Sequence, residues 1–166
     1  MLPGNPFLGH GFAAADVPAG PSLAWSGSMA EDLFAPDPRN WMRPGRTRFD
    51  EVCAAAKANL HDAGAKILVV PHARHILSDA PSAIAWHRDH MGLGVFGLAV
   101  APALLLDPNN LPAGGPLEDL MFRIHELLGP VVDRWIEPPA GGTVPEVNPE
   151  LVAGLQTRFP AGQPTM

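Results

Sequence analysis

Residues 64–72 read Gly64-Ala65-Lys66-Ile67-Leu68-Val69-Val70-Pro71-His72, an apolar run that begins after a glycine and stops at a proline. The run is rich in β-branched side chains, which favour strands. Because it does not alternate apolar with polar residues, it predicts a strand buried on both faces, as in a parallel sheet covered by helices. We therefore expect βα units on either side of it.

The flanking sequence alternates between helical and strand patterns. Apolar residues at helical spacing predict helices over 46–63, 78–90, 116–128 and 148–156. Short apolar runs predict strands over 22–26 and 131–136, and a third within 93–107 that ends at Leu104-Leu105-Leu106-Asp107. Strands that alternate with helices are typical of right-handed βαβ units, so the sequence predicts an α/β fold with a parallel sheet.

Length and composition limit the class of protein. A chain of 166 residues fits one domain, for which we expect an irregular arm at 1–21, the domain at 22–157 and a loose tail at 158–166. The formal net charge of −6 and eleven scattered basic residues disfavour nucleic-acid binding. No apolar run is long enough to cross a bilayer, and we expect a cytoplasmic protein. The single cysteine, Cys53, is interpreted as a small core residue.

Three short motifs succeed one another along the chain: residues 64–72, then Leu77-Ser78-Asp79-Ala80, then Leu105-Leu106-Asp107-Pro108. In order and spacing they resemble the sugar phosphate isomerase/epimerase group of xylose isomerase-like TIM barrels. The resemblance covers about residues 22–155 and corresponds to the fourth to eighth strands of such a barrel. It implies a partial, half TIM-barrel-like parallel sheet with βα units.

The resemblance also implies a chemistry. In that family a divalent metal at the carboxyl end of the barrel polarises the sugar oxygens, while carboxylates move a proton between adjacent carbons. Carried over residue by residue, it keeps Asp107 alone among the family's metal ligands. If the chain is active, Asp107 and His72 are the catalytic residues, Asp107 as a metal ligand and His72 as a metal ligand or an acid/base group, with Mn, Zn or Mg as the possible metal. The other family ligands fall on non-ligating residues, namely Val70, Asn110, Trp135 and Gly141. Either the site has moved or the chemistry is lost.

Three further residues are candidates for binding a sugar-like ligand. Arg74 is available for an anionic group such as a phosphate. Trp135 is an aromatic side chain that lines a pocket or anchors the core, and Glu137 follows the last predicted strand. His125 is interpreted as a helix-face residue.

Two pairs of histidines invite a second interpretation, as a shared metal site. His72 and His75 follow a predicted strand, whereas His87 and His90 lie three residues apart on the next predicted helix. The carboxyl end of a strand and the end of the helix after it lie at opposite ends of a βα unit. We therefore expect the two pairs to be far apart, and their rings to be partly packed at the surface.

Two functions remain open from the sequence. The first is metal-assisted proton transfer on a small sugar or polyol, and the second is a non-catalytic binding or assembly module on the same scaffold. In both cases a half-barrel leaves two open sheet edges with unpaired backbone groups. We expect a homo-oligomer or a partner chain to cover them.

Overall fold

The computed structural model describes residue 5, residues 17–106 and residues 117–136. Four parallel strands form one sheet in the order β1-β2-β3-β4, curled into a half-barrel. The strands are β1 (Gly20–Trp25), β2 (Ala65–Val70), β3 (Phe96–Val100) and β4 (Arg134–Trp135). The helices are α1 (Arg43–Asp62), α2 (Ala80–His90) and α3 (Leu117–Leu128), with short 3-10 turns at Pro38–Trp41, Gly92–Gly94 and Pro102–Leu105.

The predicted α/β class and the central strand are confirmed. β2 pairs in parallel with β1 along its full length, from Gly20 opposite Ala65 to Trp25 opposite Val70. On its other side β2 pairs with β3. Because β2 is an interior strand with a neighbour at each edge and a packed layer on each face, its sequence is apolar throughout.

The third strand lies earlier in the sequence than predicted. It ends at Val100, and the leucines at 104 and 105 belong to the 3-10 turn Pro102–Leu105. Pro102 has no backbone N–H and a fixed φ, so the ladder cannot continue through it. The prediction that this strand ends at residues 104–107 is therefore wrong, and Asp107 does not directly follow a strand.

The ends of the other elements differ less. β4 is shorter than the predicted 131–136, because the N–H groups of Val131 and Val132 bond to the Leu128 carbonyl in a turn after α3. The predicted helix at 148–156 and the predicted tail lie outside the described residues, as does most of the predicted arm. Among the described residues, no helix combines the length and the apolar character needed to cross a membrane.

The two faces of the sheet carry separate cores. The outer face packs against the helices through alternate strand residues, including Ala24, Ile67, Leu98 and Val100, and this layer contains Cys53 as predicted. The inner face of the half-barrel carries a smaller cluster. Its buried members are Trp25, Leu68, Val70, Ala99, Ala101 and Leu104, and Leu23, Leu33, Phe34 and Ile136 pack against them.

An ion pair crosses the inner face at the amino ends of the strands. Lys66 of β2 pairs with Asp133, whose carboxylate also accepts a hydrogen bond from the Leu98 N–H at 3.1 Å. The two side chains meet across β3 at Gly97, where any Cβ would lie 2.7 Å from the Asp133 Cγ. Position 97 must therefore be a glycine if Lys66 and Asp133 are to form their ion pair across β3.

Candidate functional site

Four rings meet at the carboxyl ends of β1 and β2. They belong to Trp25, Phe34, His72 and His75, which we call the aromatic–histidine cluster. The two imidazole centroids lie 4.7 Å apart, and Phe34 stacks on His75 at 5.2 Å. Trp25 contacts His75 edge-on at 5.4 Å and Phe34 at 5.3 Å. Because Trp25 and Phe34 belong to the inner-face cluster, the rings lie at the mouth of the half-barrel.

The chain reverses tightly after β2, and this turn brings both histidines to the mouth. The N–H of His75 donates to the His72 carbonyl at 2.8 Å, and the N–H of His72 donates to the Leu77 carbonyl at 3.0 Å. The N–H of Ala73 donates to the Leu104 carbonyl at 2.7 Å. The turn is therefore held both within itself and by the 3-10 segment that follows β3.

The His72 ring is buried, and its Nδ1 atom accepts a hydrogen bond from the backbone N–H of Arg74 at 3.1 Å. A nitrogen that accepts from an N–H carries no proton of its own. In the neutral ring the proton is then on Nε2. The backbone of the turn thus selects one tautomer of His72.

His75 has no exposed surface. Neither of its ring nitrogens makes a hydrogen bond of ordinary geometry with the described residues. Burial, and secondarily the neighbouring His72, hold the pKa of His75 well below 6.5, and a contact with the Leu33 backbone opposes this shift without reversing it. His75 is therefore a neutral imidazole at physiological pH. The expectation of partly packed surface histidines is wrong for His72, His75 and His90, which are all buried.

Asn40 joins the loop after β1 to the turn after β2. Its Oδ1 accepts from the Met29 N–H at 2.6 Å, and its Nδ2 donates to the Ser28 Oγ at 2.9 Å and to the Arg74 carbonyl at 2.8 Å. Sequence reasoning missed Asn40 and Phe34, because both lie in a proline-containing stretch that predicts only loop. The Asp37-Pro38 pair, with Asp37 capping the 3-10 turn that contains Asn40, is the local signal that could have indicated an ordered segment.

Arg74 faces the same loop. Its guanidinium Nη1 donates to the Phe34 carbonyl at 3.1 Å, and the residue is 9% exposed. This contact holds Phe34 over the two histidines. The predicted role of Arg74 in binding an anionic group stays a prediction.

The other predicted ligand-binding residues are not brought into the cluster by the described structure. Trp135 lies on the outer face of the sheet, where its ring packs on His125 of α3 at 4.2 Å, and burial lowers the pKa of His125. Asp107 and Glu137 lie outside the described residues. His72 and Arg74 are thus the predicted site residues that the structure places together.

The second pair of histidines has a different environment. His90 stacks on Trp86 at 5.4 Å, and its Nε2 lies 2.9 Å from the Asp50 carboxylate of α1. Burial lowers the pKa of His87, which also senses Asp133 and Lys66 at the amino ends of the strands. Neither histidine contacts the aromatic–histidine cluster.

The side chains of the described residues contain no group of three or more histidine, cysteine, aspartate or glutamate residues that could hold a metal ion. Two imidazoles, one of them with Nδ1 already engaged, do not supply the three or four ligands of a zinc site. Burial raises the pKa of the Cys53 thiol to about 12, which disfavours the thiolate that a nucleophile requires. The chemistry available at the mouth is therefore that of two imidazoles, one of them the neutral His75, between aromatic rings.

The fold and the site define a class: a parallel α/β half-barrel that carries two buried histidines at its mouth. Comparison with known proteins found no family model, no curated protein and no solved structure that matches the chain.

Proposed function

We propose that this chain is a sugar- or polyol-binding domain of the sugar phosphate isomerase/epimerase type, with its ligand at the mouth of the half-barrel. The observation that carries the proposal is the aromatic–histidine cluster at the carboxyl ends of β1 and β2. Loops at the carboxyl ends of parallel strands are where barrels and open α/β sheets bind their ligands.

The composition of the cluster supports a ligand role over a purely structural one. A polar group buried without a hydrogen bond costs stability, and leucine or phenylalanine would fill the same volume without that cost. Burial of His75 therefore lowers the stability of the fold, since its two ring nitrogens have no well-formed hydrogen bond within the described structure. A polyhydroxylated ligand offers both donors and acceptors, while aromatic rings such as Trp25 and Phe34 pack against its C–H faces.

The same groups suit a proton transfer between adjacent carbons. A neutral imidazole has one protonated nitrogen and one nitrogen with a free lone pair, so it can act as an acid or as a base. Isomerisation and epimerisation beside a carbonyl need a base for the C–H proton and a donor for the carbonyl oxygen. The neutral His75 and the His72 ring, whose Nδ1 accepts from the Arg74 N–H, have centroids 4.7 Å apart and together can provide both.

The metal implied by the resemblance stays a prediction. It depends on Asp107, which lies outside the described residues, together with His72. The described residues by themselves do not form a metal site.

Exchange of sugar protons with solvent tests the proposal. The chain is incubated in D2O with aldoses, ketoses, their phosphates and polyols, with and without Mn²⁺, Zn²⁺ or Mg²⁺, and deuterium incorporation beside the carbonyl is followed by NMR. We expect incorporation into at least one carbonyl sugar, and its loss in His75→Phe. The exposed His61 provides the matched control, because His61→Gln should leave the rate unchanged.

Binding measured on the same panel separates the two functions left open by the sequence. A sugar that binds without deuterium incorporation supports the non-catalytic binding module. The absence of both binding and exchange across the panel would overturn the proposal.

A further inference from the structure

We infer that the backbone of Arg74 locks His72 as the Nε2–H tautomer, so that His72 works as a hydrogen-bond donor and not as a metal ligand. This inference deepens the proposed function and rests on it only for the identity of the site's ligand. Of the two roles that the family resemblance leaves open for His72, metal ligand or acid/base group, it excludes the first.

The first step is the geometry at Nδ1. The Arg74 N–H points to this atom at 3.1 Å, and the donor and the acceptor lie only two residues apart in one turn. That turn is fixed independently by the bonds from His75 N to His72 O and from His72 N to Leu77 O. Asn40 also anchors the Arg74 carbonyl at 2.8 Å. The donor therefore cannot turn away from Nδ1 without breaking bonds elsewhere.

The second step is the requirement of metal coordination. A ligating imidazole binds the metal through one unprotonated nitrogen and donates the proton on its other nitrogen to a carboxylate, a carbonyl or a water. His72 has the opposite arrangement, because its Nδ1 faces a donor. Coordination through Nε2 would place a proton on Nδ1 against the Arg74 N–H, and coordination through Nδ1 would displace that N–H.

The third step concerns the neighbouring ring. His75 is the nearest imidazole and is fully buried, with Phe34 stacked on one side and Trp25 edge-on. For both rings to share an ion, the packed rings would have to separate. The packing of the two rings thus agrees with the geometry at Nδ1 in leaving no shared metal position at His72.

Nitrogen NMR of the ¹⁵N-histidine-labelled protein tests the tautomer directly and needs no ligand. We expect Nδ1 of His72 to resonate as an unprotonated nitrogen and Nε2 as a protonated one, as assigned by comparison with His72→Gln. The reverse pattern would overturn the inference. Because this readout involves no sugar, failure to bind sugar would remove the proposed function and leave the tautomer assignment standing.

Two variants at one position test the cause. Arg74→Ala keeps the backbone N–H and removes the guanidinium, whereas Arg74→Pro removes the N–H itself. We expect the Nε2–H form to persist in Arg74→Ala and to lose its dominance in Arg74→Pro. If Arg74→Pro does not fold, the spectra of the wild type and of Arg74→Ala still test whether the backbone N–H selects the tautomer. Loss of the Nε2–H form in Arg74→Ala would show that it does not.

Metal titration provides an independent readout. Zn²⁺ and Mn²⁺ should bind wild type and His72→Gln with the same affinity, and the His72 nitrogen resonances should not move. The inference would be overturned if His72→Gln lowered the metal affinity by about tenfold or more, which is the loss seen when a residue that orients a metal ligand is replaced.

Discussion

At the level of single residues, the buried imidazole of His75 controls how stability depends on pH. Its pKa is well below 6.5 in the folded chain and near 6.5 in the unfolded one. Below about pH 6.5 the unfolded state therefore binds a proton that the folded state does not, and the free energy of unfolding falls by about 1.4 kcal/mol per pH unit. The stability that neutral His75 preserves is present above that pH and is lost as the pH falls.

The substitution His75→Phe should remove the part of this pH dependence that His75 causes. We expect urea unfolding between about pH 6.5 and 5 to show a shallower loss of stability in the variant than in wild type, by about one proton. His125 and His87 also have lowered pKa values, and their contribution, of the same sign, remains in both proteins. His61→Gln should follow the wild-type curve, and parallel curves for wild type and His75→Phe would contradict the assignment.

Asn40 provides the second prediction at this scale. Asn40→Ala removes three hydrogen bonds and leaves the buried Arg74 carbonyl without that donor. At about 0.5–1.5 kcal/mol each, the loss should lower the free energy of unfolding by about 2–4 kcal/mol in urea denaturation. Asn59→Ala on the exposed face of α1 is the control and should change stability little. An equal, small effect of both substitutions would show that Asn40 does not join the two loops.

The sequence predicted His72 at the mouth because the first residues after a buried strand, here Pro71 and His72, must lie near its carboxyl end. It did not predict the burial of His75 or the part played by Asn40. Asn40 acts through a contact with Arg74, 34 positions later in the sequence, and His75 is packed against Trp25 and Phe34, which are also distant in the chain. No local pattern reports such contacts. The tautomer of His72 depends on the direction of a single N–H, which is likewise set only by the folded turn.

At the level of elements, β3 and β4 are joined through Gly97. Gly97→Ala would place a Cβ 2.7 Å from the Asp133 Cγ and 3.0 Å from its Oδ1, so the carboxylate must leave Lys66 and the Leu98 N–H. We expect a loss of about 1–3 kcal/mol in chemical denaturation. Gly92→Ala is the matched control, because open space surrounds Gly92.

A double-mutant cycle identifies the cause of that loss. If the clash is with Asp133, Gly97→Ala should cost much less in an Asp133→Ala background than in wild type, since the opposing side chain is gone. Additive effects of the two substitutions would contradict a direct conflict between them.

Among the elements, the sequence predicted those with a clear period or an end signal. α2 begins where Asp79 accepts from the Ser82 N–H at 2.7 Å, with Pro81 in its first turn, as its residues indicated. β2 follows from its continuous apolar run. The misplaced end of β3 has a physical origin, because residues 95–106 are apolar almost throughout and burial alone does not distinguish a strand from the 3-10 turn after it. Only Pro102 marks the boundary.

At the level of the whole molecule, the edge of β1 that faces away from β2 leads us to predict a homodimer. Gly20 and Ser26 donate to the Gly64 and Val70 carbonyls alongside β2, so the alternation of a strand turns the Leu23 N–H the other way. No described residue accepts a hydrogen bond from it. The sheet has four parallel strands in sequential order. A two-fold axis parallel to the barrel axis would place β4 of one copy beside β1 of the other, and the two copies together would complete the eight strands of a closed barrel.

We therefore expect sedimentation or light scattering to give twice the monomer mass of 17.6 kDa, with a melting temperature that rises with protein concentration. The Leu23 amide should be protected from hydrogen exchange in the dimer and should lose that protection on dilution. A monomer at all concentrations with an unprotected Leu23 amide would leave the edge open and contradict the prediction. A monomer whose Leu23 amide is protected would contradict it too, because the chain itself would then cover the edge of β1.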